Sequence, residues 1–195
     1  MTVEIPLFPL STVLYPGGPL QLRIFEQRYL DMISRCAQQQ TCFGVVAIKH
    51  GTEVGAADTF AVGTLAQIVD FNREADGLLG ITAAGRGSFA VEQVSRKPDG
   101  LYVGAVTLWE PEVSAPLPAT HAQLVQLLRK LLPLDGRYRD MPAAYDDAGW
   151  VSYRLAELLP LPLPTKQRLL ETRDAVTRLN HLLESVRMLE SGKRN

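Results

Sequence analysis

The chain has 195 residues, 46% of them hydrophobic, with a formal net charge of −1 and a mean hydropathy close to zero. That balance excludes a disordered acidic or basic tail, and the length supports a buried core without disulfide staples. Residues 1–118 hold 8 Lys/Arg against 12 Asp/Glu, a balance of −4, and residues 119–195 hold 12 against 9, a balance of +3, so neither half carries the basic excess of a nucleic-acid footprint.

The N-terminal stretch sets the pattern. Ile5 to Leu10 is a short apolar strand interrupted by Pro6 and Pro9, which suits an edge or the start of a sheet because Pro cannot donate to a ladder. Pro16-Gly17-Gly18-Pro19 predicts a tight turn. Leu20, Leu22 and Ile24 then alternate with Gln21 and Arg23, as on a half-buried strand. Phe25, Tyr29, Ile33 and Cys36 follow at helical spacing, with Phe25 and Tyr29 expected in the core and Arg28 within reach of Asp31. The acid Glu26 suits the first turn of that helix.

Pro-Leu-Phe-Pro-Leu at 6–10, Tyr-Pro-Gly-Gly at 15–18 and Leu-Arg-Ile-Phe-Glu-Gln-Arg-Tyr at 22–29 closely resemble the opening of the Lon N-terminal domain, the part of Lon proteases taken to handle substrate proteins. The resemblance implies a structural role for Pro16, Gly17, Phe25, Glu26, Arg28 and Tyr29.

Thr41 to Lys49 reads as a strand apolar on both faces, and 50–58 as a polar loop. Phe60 to Phe71 is a strand that Gly63 bends or bulges; Asp76-Gly77 is a hairpin pair; Leu78 to Thr82 returns. Ala83 to Ser88 reads as a further turn, Phe89 to Val94 as a strand, Lys97 to Gly100 as a turn, and Leu101 to Trp109 as the last strand. Many short strands separated by turns predict an antiparallel sheet closed into a small barrel. Val-Gly-Thr-Leu-Ala-Gln-Ile at 62–68 and Asp-Gly-Leu-Leu-Gly-Ile at 76–81 continue the resemblance. The family often carries Arg directly before the next aromatic, where this chain has Ser88 before Phe89. The resemblance implies that the barrel is PUA-like.

Glu110 to Pro118, with three prolines, reads as a semi-rigid linker. Beyond it the pattern is helical. Leu124, Leu127, Leu128 and Leu131 form one stripe, and Asp146 or Asp147 caps a helix from Ala148 to Leu159 that buries Trp150 or Val151, Leu155, Leu158 and Leu159. Pro160 to Pro164 is expected to cross in an extended form. Thr165 then caps one long helix from Lys166 to about Glu190, on whose surface Asp174 and Arg178 pair. Leu-Pro-Leu-Pro-Thr-Lys-Gln-Arg-Leu-Leu-Glu at 161–171 resembles the family's leucine-rich closing segment. The expected architecture is α+β: a PUA-like β barrel with one early helix and linker over 1–118, then a helical subdomain over 119–195. The apolar stripes of its helices are expected to bury in a junction shared with the barrel.

The chemistry expected is binding. Gly-x4-Gly-Lys-Ser/Thr, the phosphate loop of an ATPase, does not occur, no lysine shows a local serine-partner pattern, and Gly-x-Ser-x-Gly does not occur, so neither ATP hydrolysis nor proteolysis is expected. Cys36 and Cys42 are too few for a disulfide framework, and His50, His121 and His181 lack ligand spacing, so no metal or cofactor is expected. The N-terminus lacks the basic start of a signal peptide, no segment is long and apolar enough to span a bilayer, and a reducing, cytoplasmic location is expected. The resemblance implies a stand-alone, non-enzymatic protein that binds unfolded polypeptides or a protein partner, in the manner of a quality-control adaptor. Tyr15, Phe60, Phe71 and Tyr102 are the candidate contacts, with a place in the core as the equal alternative for each. The alternative is a PUA-like RNA-binding module, which clustering of Arg23, Arg73, Arg86, Arg96 and Lys97 would favour.

Overall fold

A computed structural model describes residues 2–192. It divides into two compact units, residues 1–111 and 112–195. The division falls within the proline-rich stretch, just after Pro111, and residues 112–118 join the helical unit through their own contacts. Ala148 N–H donates to Ala115 O at 2.8 Å, Leu117 N–H to Asp146 O at 2.8 Å, and Pro116 forms a bridge with Asp147.

Among the described residues the first unit contains six strands and a helix: β1 (Thr2–Leu10), β2 (Pro19–Ile24), α1 (Gln27–Gln39), β3 (Phe43–Gly51), β4 (Ala57–Arg73), β5 (Leu79–Arg96) and β6 (Tyr102–Leu108). The strands pair in the order β2-β5-β4-β3-β1-β6, and β6 also pairs with β5. Five strands therefore close on themselves while β2 extends the sheet beside the first half of β5. The closure is irregular, with bulges or register shifts in the β3–β4, β4–β5 and β5–β6 pairings.

The sheet is mixed rather than antiparallel throughout, since β1 and β3 run parallel. A parallel pair needs a crossover, and the segment holding β2 and α1 supplies it. Residues 83–88 do not turn; β5 runs straight through them. Gly85 is there because the Pro16–Gly17 turn lies against it. Gly17, at φ +74°, donates to Gly85 O at 2.9 Å, and Gly85 N–H donates to Gly18 O at 2.8 Å. Pro at the second position and Gly at the third give a type II turn.

Neighbouring residues of a strand point to opposite faces, and β1 shows the result. Leu7 joins Val46, Phe89, Tyr102 and Val106 in one buried cluster. Phe8 joins Tyr29, Met32, Ile33 and Cys36 of α1 in the other, which also takes in Phe43, Val45 and Ile81. The first cluster fits only because glycines face it: a Cβ on Gly44 would lie 2.7 Å from Leu7 and from Phe89, and one on Gly63 would lie 2.6 Å from Phe89. Gly63 thus supplies space, and the nearby register shift falls between Thr64 and Ala66.

The second unit contains α2 (Ala122–Leu131), α3 (Ala148–Leu158), α4 (Leu163–Glu171) and α5 (Ala175–Gly192). Its core is built from Leu124, Leu128, Val151, Leu155, Leu169, Leu170, Leu179 and Leu182. Asp147 caps α3, accepting from Trp150 N–H at 2.6 Å. Three expectations fail here. The crossover ends early, because Pro164 sits in the first turn of α4, where its missing N–H costs nothing, and Thr165 lies inside that helix. The long helix breaks at 172–174, where Asp174 accepts from Thr177 N–H at 2.7 Å and starts α5. Arg178 does not pair with Asp174 on the surface; it is fully buried and grips Glu112.

Candidate functional site

The motif around Arg28 is a structural clamp. Glu26 is the N-cap of α1, so Phe25 precedes the helix, falls off its periodicity and is 58% exposed, contrary to the core position expected of it. Arg28 is buried, pairs with Glu26 Oε2 at 2.7 Å and donates to Gly100 O at 2.9 Å. It thereby ties the start of α1 to the β5–β6 turn. Asp31 accepts from Gln27 instead of Arg28. Tyr29 stacks on Phe8 with ring centroids 3.9 Å apart, and burial pushes its phenol up to about 12.

Of the four candidate contact residues, Tyr15 and Tyr102 are buried. Tyr15 O accepts from Gly18 N–H within the turn, and the Tyr102 hydroxyl accepts from Ala57 N–H at 2.9 Å, so both serve the fold. Phe60 is half-buried. Phe71 is 51% exposed, and Val69, which the sequence reading passed over, is 53% exposed. Alternation in Val69-Asp70-Phe71-Asn72 was the available signal. Both residues lie on the part of β4 that projects beyond β3, whose pairing with β4 reaches no further than Ala66. Here β2, β5 and β4 form a three-stranded sheet with Leu22, Ile81 and Phe71 in one row and Gln21, Thr82 and Asp70 in the next. Phe25 follows the last residue of β2 at the same end of that sheet, where Ile24 pairs with Leu79 and Leu79 with Arg73.

The basic residues do not form a stripe. Arg23 pairs with Asp76, and Arg73 lies beside the start of β5. Arg96 and Lys97 lie at its far end, where Arg96 donates to Gly100 O. Arg86 stands between these ends and donates to Gln67 Oε1 at 2.7 Å. Cys36 and Cys42 are unbridged, and burial pushes both thiols up, which keeps them protonated. Among the described residues no cluster of His, Cys, Asp and Glu could hold a metal ion, and no helix is long and apolar enough to cross a membrane.

In the helical unit, Arg178 donates to both Glu112 carboxylate oxygens at 2.7 and 2.8 Å, to Ser152 Oγ at 2.8 Å and to Thr172 O, with its guanidinium 3.8 Å from the centre of the Tyr153 ring. One side chain therefore joins the proline-rich stretch, α3 and the α4–α5 break. A second cluster gathers on Glu157, which takes Arg154 at 2.6 Å and the Tyr138 hydroxyl at 2.9 Å. Neither cluster offers an exposed reactive group.

The sequence model of the ATP-dependent protease La (LON) substrate-binding domain matches residues 4–187. Lon protease 2 of Myxococcus xanthus is 27% identical over 192 residues, which are 92% of this chain and 23% of that protein. The Lon protease of Escherichia coli K12 is 25% identical over 97% of this chain and 25% of its own length. The chain thus spans about a quarter of these relatives. The crystal structure of a Lon N-terminal domain protein from Xanthomonas campestris is 37% identical, covers 93% of this chain and 98% of its own, and superposes with a TM-score of 0.78. The N-terminal domain of Mycobacterium avium complex Lon protease, 17% identical over 93% of this chain and 97% of its own with a TM-score of 0.62, shares the fold. The mixed sheet followed by helices is the fold that the opening motifs implied, and the chain belongs to the family of Lon substrate-binding domains.

Proposed function

We propose that this chain binds unfolded or loosely folded polypeptide, without catalysis, as a cytoplasmic adaptor in protein quality control. The observation that carries the reading is exposed apolar surface on the barrel unit of a Lon-type substrate-binding domain. Phe25, Val69 and Phe71 are each more than half exposed, on a unit that buries Phe8, Tyr15, Tyr29, Phe43, Phe89 and Tyr102. Exposed apolar side chains grouped on a folded unit mark interaction surfaces. RNA binding is the weaker reading, because the basic residues lie dispersed along β5 and three of the five candidates are engaged within the unit. Affinity for polypeptide is expected to be roughly micromolar, since ordering a flexible client opposes association.

Titration of the full chain with a fluorescent, permanently unfolded protein and with a single-stranded RNA, each at low and moderate salt, tests the proposal. Polypeptide binding that persists in moderate salt is the expected result. RNA binding that collapses with salt, without polypeptide binding, overturns it, because phosphate contacts carry that salt signature.

A further inference from the structure

The hydrogen-bond phase of the β4–β5 hairpin fixes which groups of β4 face outward. Glu74 N–H donates to Leu78 O at 3.0 Å, which makes 74 and 78 a bonded pair. Bonded and non-bonded pairs alternate along an antiparallel ladder. The pairs Asn72–Gly80 and Asp70–Thr82 therefore exchange bonds, whereas Phe71–Ile81 and Arg73–Leu79 do not. The N–H and C=O groups of Phe71 and Arg73 point away from β5. Among the described residues no strand pairs with that edge. Phe71 N–H is instead covered by the neighbouring carboxylate, Asp70 Oδ1, at 2.9 Å.

The two faces beside this edge differ in chemistry. On one, Asp70, Asn72 and Glu74 line a groove of about 410 Å³ together with Gln21, Arg23 and Thr82. Arg23 is engaged by Asp76, and Glu74 accepts from Asn72 at 2.6 Å, so among the described residues the rim next to the edge carries two carboxylates, Asp70 and Glu74, without a cation on either. On the other face stands Phe71, and Val69 projects from the register shift between Ile68 and Asp70.

We propose that the edge of β4 from Gln67 to Arg73 takes up an extended polypeptide segment as an added strand. A lysine or arginine of the segment lies over Asp70 and Glu74, and its apolar neighbours lie against Phe71 and Val69. This rests on the polypeptide-binding reading above and names its site and mode. In strand addition the main chain supplies affinity and alternate side chains supply selectivity, so apolar–basic alternation is the matching pattern. Asp70 acts as a cover: it occupies the outward N–H when the edge is empty and turns to the client's cation when it is filled. The occupant is a client segment and not a second copy of the chain. Two outward-facing residues offer far less contact than the roughly 1,200 Å² at which stable interfaces begin.

The test uses the full chain and fluorescein-labelled short peptides alternating valine with lysine or valine with glutamate. The lysine peptide is expected to bind about tenfold tighter, a preference that D70N/E74Q removes, because complementary charge governs selection at such a rim. Phe71→Pro removes an outward donor without taking a ladder bond from β5, and is expected to weaken the lysine peptide about fivefold or more. Hydrogen exchange on the unaltered chain serves as the check that needs no variant: the Phe71 and Arg73 amides slow when the lysine peptide is bound. Equal binding of the two peptides, unprotected amides in the bound state, or dimerisation of the chain lost in F71P each overturn the proposal. If the permanently unfolded protein binds while those amides stay unprotected, strand addition fails and the polypeptide-binding reading survives. If neither peptide nor unfolded protein binds, both fail.

Discussion

Gly85 stands where the carbonyl oxygen of Tyr15 would meet a Cβ at 2.1 Å, a backbone contact that no side-chain rotation relieves. Gly85→Ala is therefore expected to push the Pro16–Gly17 turn off β5 and to lower stability by about 2–3 kcal/mol, the upper range for overpacking. A urea midpoint unchanged from the parent chain would refute that account of the turn. Arg178 is the corresponding residue of the helical unit. Removing it as Arg178→Met leaves the Glu112 carboxylate without its cation, though the Tyr153 hydroxyl still donates to it at 2.7 Å; because Glu112 is only partly buried, the expected cost is about 3 kcal/mol, the lower end for breaking a buried pair on one side. R178M/E112Q is expected to recover part of the loss, and denaturation of the two variants side by side measures it. At this scale the sequence left contact and core equally open for the aromatics, and packing decides between them. Tyr15 and Tyr102 sit next to turns and are buried. The carbonyl of the one and the hydroxyl of the other are hydrogen-bond acceptors that hold neighbouring segments.

Among the elements, most strands and α1 were legible because alternation, short apolar runs and helical spacing are strong signals, and turns such as Pro16–Gly17, Asp76–Gly77 and Pro98–Gly100 separate several of the strands. Besides the early start of α4, two boundaries were not. Gly85-Arg86-Gly87 looks like a turn, yet in β5 its first glycine marks the close approach of another backbone. The leucine repeat from Leu169 to Val186 keeps its phase across the break at 172–174, so periodicity hid the end of α4; Asp174 followed by Thr177 was the only local sign. The pairing of Arg178 with Glu112, 66 residues away, left no local sign at all.

The α3 helix also carries a titration that can be tested. Burial pushes Glu157 up to about 7, against the opposing pull of Arg154 and of the Tyr138 hydroxyl. The folded chain therefore holds a proton that the unfolded chain releases at the ordinary carboxylate range. Its contribution to stability is full below that range and is lost as pH rises through about 7. Relative to Glu157→Gln, the parent chain is expected to lose stability on the order of 3 kcal/mol between about pH 4 and pH 8. Parallel denaturation curves for the two proteins across that range would contradict the assignment.

At the scale of the whole molecule, each unit has its own core, and the family assignment rests on nearly the full length of the chain. The opening motifs made the fold readable from sequence, since the turn at Pro16–Gly17 and the clamp at Arg28 depend on those residues. The proposed interaction surface was less readable. It depends on which part of β4 outruns its partner β3, and that is a property of register rather than of any one residue. The central claim is that the chain selects polypeptide in its unfolded form. The direct measurement titrates the full chain with one fluorescently labelled protein, presented once in its native state and once permanently unfolded, and follows anisotropy at moderate salt. The account predicts a roughly micromolar Kd for the unfolded form and no saturable binding of the native form. Equal binding of the two forms, or no binding of the unfolded one, would contradict it.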